Sequence, residues 1–127
     1  MSFHTILAVA AGGALGAVAR FLVSFGAEPL LGYWFPFGTF IVNVLGSFAL
    51  GVLIQVTSLA WSPSAEVRAF LVVGVLGAFT TFSTFSLDTV TLWTRGDLVP
   101  AVMYMVGSVL FGITGFLTGM FLTKVLL

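Results

Sequence analysis

The residues that could do chemistry are gathered in one run, Gly74 to Ser86, reading G-V-L-G-A-F-T-T-F-S-T-F-S. It opens with Gly74 and Gly77, then sets the hydroxyls of Thr80, Thr81, Ser83, Thr84 and Ser86 around Phe79, Phe82 and Phe85. Hydroxyls donate and accept hydrogen bonds. A phenyl ring carries a positive edge around a negative face, so Phe82 and Phe85 serve either as ordinary core packing or as ring edges turned to an anion. Two further sets match this character. Thr39, Asn43 and Ser47 recur every four residues, so a helix would put them on one face. Tyr104 and Ser108 have the same spacing, and serve either as simple interhelical hydrogen bonds or as part of the same polar face. Donors of this kind, without a fixed charge, can replace the water around a small anion step by step. A buried Lys or Arg would hold the anion too tightly for the weak, multi-site binding that conduction requires.

These residues lie in an environment of hydrocarbon. The chain has 127 residues, 60% hydrophobic and 6% charged, against about 25% charged in soluble domains. It therefore reads as an all-α integral membrane protein. The expected spans are about 3–25, 37–59, 68–93 and 99–122, forming a single four-helix transmembrane domain over 1–127. So few short helices enclose little interior, which points to an oligomer. Net charge is zero and no basic field invites nucleic acid. With no Cys and a single His, disulfide frameworks and common zinc sites are excluded. The residues offer no nucleophile–base pair and no phosphate loop, so the chain does not read as an enzyme.

Placed on the spans, the hydroxyl run falls at the midpoint of the third. Glycines followed by polar residues there predict a helix broken at its midpoint. In hydrocarbon such backbone survives only where it is buried in protein or lines a wet path. Carbonyls freed at the Gly77–Thr80 break could hold a monovalent cation such as Na⁺. Asn43 is the only amide in a span interior. It acts either as interhelical glue or as a donor to a dehydrated anion. Arg20, about a turn from the expected end of the first span, either snorkels to the interface or lines an anion-gathering vestibule. Gly12 with Gly16, and Gly13 with Ala17, form faces that let a neighbouring helix approach closely. Asp88 reads as a partly wet position or a helix-end cap before it reads as a proton relay.

Orientation is balanced. Both termini share a side, which holds Arg68 and Lys124, while Arg95 and the nearest charge, Arg20, lie opposite. With no positive-inside bias the chain can insert both ways, and oppositely oriented copies can pair about an axis in the membrane plane.

The run Gly77-Ala78-Phe79-Thr80-Thr81-Phe82-Ser83-Thr84-Phe85-Ser86 closely resembles the Fluc (CrcB) family of bacterial fluoride channels. So do Gly12-Gly13 with Gly16-Ala17 and Arg20, and Gly38-Thr39-Phe40 with Asn43 and Gly46-Ser47. The resemblance covers all four spans. It implies an antiparallel, dual-topology homodimer with two fluoride pores in a bacterial inner membrane, and a structural Na⁺ at the dimer centre on the Gly77 and Thr80 carbonyls. The pore phenylalanines fall on Phe82 and Phe85, the pore amide on Asn43, the polar track on Tyr104 and Ser108, and the vestibule arginine on Arg20. Thr39, Ser83 and Thr84 complete the expected pore residues. The track on the fourth span is short, because Gly112 offers no hydroxyl. The implied function is passive export of fluoride that accumulates in the cytoplasm, relieving its toxicity. A small proton-coupled exporter and a structural assembly protein are the rival readings.

Overall fold

The computed structural model describes all 127 residues. The chain is all-helical, with four helices long and apolar enough to cross a membrane: Phe3–Leu31, Phe37–Leu59, Ala65–Thr94 and Leu98–Leu126. It is a multi-pass membrane protein. Only 15 of its 127 residues are buried, so most of its apolar surface must meet lipid or another chain.

The first span starts at Ser2, whose side chain accepts a hydrogen bond from the Thr5 N–H at 3.1 Å. It runs past the expected end near residue 25 and carries Pro29 in its last turns. Glu28-Pro29 reads as a connection in sequence, yet a proline this near a helix end removes a single intrahelical donor. The stop comes at Gly32, whose φ of 101° is left-handed and whose N–H closes on the Glu28 carbonyl. Arg20 consequently lies well inside the helix, not a turn from its end.

The third span changes character along its length. Ala65–Arg68 is α-helical, capped by Ser64; Ala69–Leu76 is π-helical; Gly77–Phe79 is α-helical again. Thr80 and Thr81 are extended, with φ, ψ of −87°, 157° and −152°, 121°. Phe82–Thr94 then resumes the α-helix, with the Thr81 side chain accepting from the Thr84 N–H at 3.1 Å. The bend thus falls at Thr80–Thr81, beyond the glycines. Gly74 lies within the π-helical stretch, not at the bend. It packs, and a Cβ there would lie 2.8 Å from Gly12 Cα.

The spans pack chiefly as two pairs, first with third and second with fourth. Small residues make both pairs close. A Cβ on Gly12 or Gly16 would collide with the Phe70 or Val75 carbonyl of the third span. A Cβ on Gly51 or Gly119 would collide with the Phe116 or Phe48 carbonyl. Gly13 has nothing within 4 Å, so the Gly12–Gly16 face alone makes this intrachain contact. A small core of Phe35, Leu92, Ala101 and Tyr104 closes one end of the bundle. At the turn before the fourth span, Gly96 takes a φ of 85° and Arg95 pairs with Asp97 at 2.7 Å.

Candidate ion pathway

Extending two residues inside a membrane helix strips backbone groups of their intrahelical partners, and each must be satisfied again. Asn43 meets two of these demands. Its Oδ1 accepts from the Thr81 N–H at 2.7 Å and its Nδ2 donates to the Thr81 carbonyl at 3.0 Å. Gly46, one turn along the same helix, makes room for the approach, since a Cβ there would collide with the Thr80 side chain. Arg20 meets a third demand. Its Nε donates to the Ala78 carbonyl at 2.9 Å, putting a cation at the C-terminal end of the helical half, where the helix dipole favours it. Arg20 is therefore tied to the bend and does not reach for the interface.

Gly77 and Thr80 are among the carbonyls that lose their helical donors. The Thr81 N–H that a continuous helix would turn to Gly77 goes to Asn43. The Thr84 N–H that would turn to Thr80 goes to the Thr81 hydroxyl. Gly77 and Thr80 thus present uncharged backbone oxygens at the bend, a donor set that suits a hard monovalent cation.

Beside the bend lies a cavity of about 370 Å³. Asn43 and Ser47 of the second span, Thr81, Phe82 and Phe85 of the third, and Ser108 of the fourth all face it. Its lining holds no Asp, Glu, Lys, Arg or His. The Ser108 Oγ is buried and has no hydrogen-bond partner. Next to the cavity the rings form a chain: Phe82 to Phe85 at 5.6 Å between centroids, then Phe85 to Tyr104 at 5.1 Å. Phe35 meets Tyr104 edge-on at 5.4 Å. Phe82 is 79% exposed, on the open side of the cavity.

The other expected pore residues sit around this space, not in its wall. Tyr104 is fully buried, and its hydroxyl donates to Asp88 Oδ2 at 3.0 Å. Thr39 is buried in the second span. Ser83 and Thr84 turn their hydroxyls to Thr81, at 3.3 and 3.1 Å. Two features escaped the sequence reading: the Tyr104–Asp88 bond, and Thr81 as the residue that Asn43 serves. The first joins residues on separate spans, and spacing within one helix gives no signal for it. The second had a faint signal, since a Thr three residues before Thr84 fits a helix N-cap.

A family model described as "CrcB-like protein, Camphor Resistance (CrcB)" matches residues 7–120. The chain is 47% identical over 126 residues to a protein of Nitrobacter winogradskyi named "Fluoride-specific ion channel FluC", covering 99% of this chain and 100% of that one. A protein of the same name from Rhodospirillum centenum is 51% identical over 119 residues, 94% of each chain. One from Cereibacter sphaeroides is 49% identical over 116 residues, 91% of each. With the family model spanning nearly all of the four helices and relatives this similar end to end, the chain belongs to the CrcB family.

Proposed function

We propose that this protein is a passive, fluoride-selective channel of a bacterial inner membrane, and that it lets fluoride leave the cytoplasm down its gradient. The observation that carries the reading is the uncharged cavity at the bend, walled by hydroxyls, an amide and phenyl rings. Its relatives' names point the same way. Fluoride gives up its water stepwise to donors that each bind it weakly. The Nδ2 of Asn43 keeps one N–H beyond the one given to Thr81. Ser108 Oγ, buried and unpartnered, offers another donor. The edges of Phe82 and Phe85 supply a polarised C–H surface between them. Tyr104, Thr39, Ser83 and Thr84 extend the polar track, and Arg20, held at the bend by the Ala78 carbonyl, sets a positive potential beside it.

The working unit is an antiparallel, dual-topology homodimer. A second copy would cover the open side of the cavity, where Phe82 and Gly77 are exposed. The bend acts as a break in the third helix, and the Gly77 and Thr80 carbonyls of both copies would hold a structural Na⁺ at the centre. That ion would supply a fixed positive charge between the two halves. The chain's own part is to turn those carbonyls out of the helix and keep them there.

Anion efflux from liposomes holding the purified protein tests the reading. Electrogenic fluoride efflux that needs a K⁺ ionophore, with no matching chloride signal and no need for a pH gradient, is the expected result. Efflux only under a proton gradient would support the exporter, and silence for both ions from folded dimer would support the assembly protein. Tag labelling from both faces of the membrane checks dual topology, and one-sided labelling contradicts it. In the same assay Phe82→Ile is expected to slow fluoride about fivefold. It removes a polarised edge worth about 1 kcal/mol, felt at the barrier. An unchanged rate from dimeric Phe82→Ile protein would remove the ring edge from the mechanism.

A further inference from the structure

The cavity at the bend has a neighbour. A second cavity of about 420 Å³ shares part of its lining and runs along the fourth span toward Phe116 and Leu117. Four residues line both: Ser47, Ser108, Val109 and Gly112. Of these, Ser47 and Ser108 are the only polar side chains, so theirs are the two hydroxyls common to both cavities.

Gly112 lies one turn beyond Ser108 and brings no side chain. A Cβ built on it would have Ser47 Oγ as its near neighbour, at 3.8 Å. The hydroxyl of the second span therefore points at the place where a side chain of the fourth span would begin. Asn43, one turn before Ser47 on the same helix, is committed to the bend through Thr81. Ser47 is the next polar group along that face.

We propose that Ser47 is an anion-coordinating residue paired with Ser108, supplying from the second span the hydroxyl that the fourth span lacks at Gly112. The inference rests on the channel reading and adds a site to it. Gly112 keeps the space open, Ser47 Oγ donates across it, and the buried Ser108 Oγ donates from the other wall. Together they carry the anion out of the bend cavity into the second one.

The test is to move the hydroxyl across the gap and measure initial fluoride efflux from liposomes, on protein shown to be dimeric. S47A is expected to lose about tenfold or more, the scale of one hydrogen bond to a charged group. The double variant S47A/G112S is expected to return to within about threefold of wild type, because a Cβ at 112 is in ordinary contact and leaves room for the new hydroxyl. S47A/G112A restores volume without a donor and is expected to stay slow. If S47A alone fails to assemble, the two double variants still make the comparison. Wild-type rates from S47A, or equal rescue by alanine and serine at 112, would overturn the proposal and leave the channel reading standing. A wild-type protein that moves no fluoride would sink both.

Discussion

Asn43→Asp is expected to abolish fluoride efflux while the protein still inserts in the membrane. The change is nearly isosteric, so its effect is electrostatic. Asn43 Oδ1 accepts from the Thr81 N–H, and a carboxylate keeps that bond. The Nδ2 that donates to the Thr81 carbonyl at 3.0 Å becomes an anionic oxygen facing another oxygen. An uncompensated charge buried this way costs about 3–5 kcal/mol. The same substitution removes the remaining N–H of a residue that lines the cavity and puts a negative charge beside the path of an anion. A barrier raised on that scale slows passage by more than about a hundredfold, which liposome efflux would record as background. Conduction by Asn43→Asp at even a tenth of the wild-type rate would refute the donor role of this amide.

Gly16→Val is expected to prevent assembly altogether. The Cβ of any residue at 16 would run into the Val75 carbonyl, and the obstacle is backbone, not a movable side chain. Overpacking against side chains costs about 1–3 kcal/mol. Here the first and third spans must separate, which also pulls Arg20 from the Ala78 carbonyl and frees the bend. Gly26→Ala is the matched control, since Gly26 has nothing within 4 Å and alanine is the better helix former by about 1 kcal/mol. Size-exclusion profiles and unfolding midpoints of the two variants in detergent make the comparison. A Gly16→Val protein that elutes and melts like wild type would mean that this close approach does not hold the pair of spans together.

The four helices were legible because composition and length alone specify them in lipid. The Gly12–Gly16 face was legible too, since small residues one turn apart have few other uses in a span. The exact place of the bend was not. Gly74 and Gly77 look like helix breakers in isolation, but Gly74 is used for contact with Gly12, and Gly77 remains helical. What bends the chain is Thr81, capping the next helix, together with Asn43, distant in sequence, accepting and donating in place of the helix. Tertiary partners of this kind leave no local pattern. The same holds for Arg20. Its position in a span signalled an unusual charge, but the Ala78 carbonyl that it serves becomes visible only when the first and third spans are side by side. Glu28-Pro29 has the local look of a connection, but the first span runs through it to Gly32, whose backbone conformation stops the helix.

The π-helical stretch Ala69–Leu76 is a store of slack. A π-turn closes on the fifth residue instead of the fourth, so the segment holds more chain than an α-helix of equal height needs. A one-residue deletion there can be absorbed by tightening to α, leaving the bend and Arg20's carbonyl in register. The same deletion in the fourth span, which has no such reserve, would rotate everything beyond it by about 100° and carry Ser108 off the pathway. Length variation among the natural sequences of this fold should therefore be tolerated just before the bend and purged beside Tyr104 and Ser108.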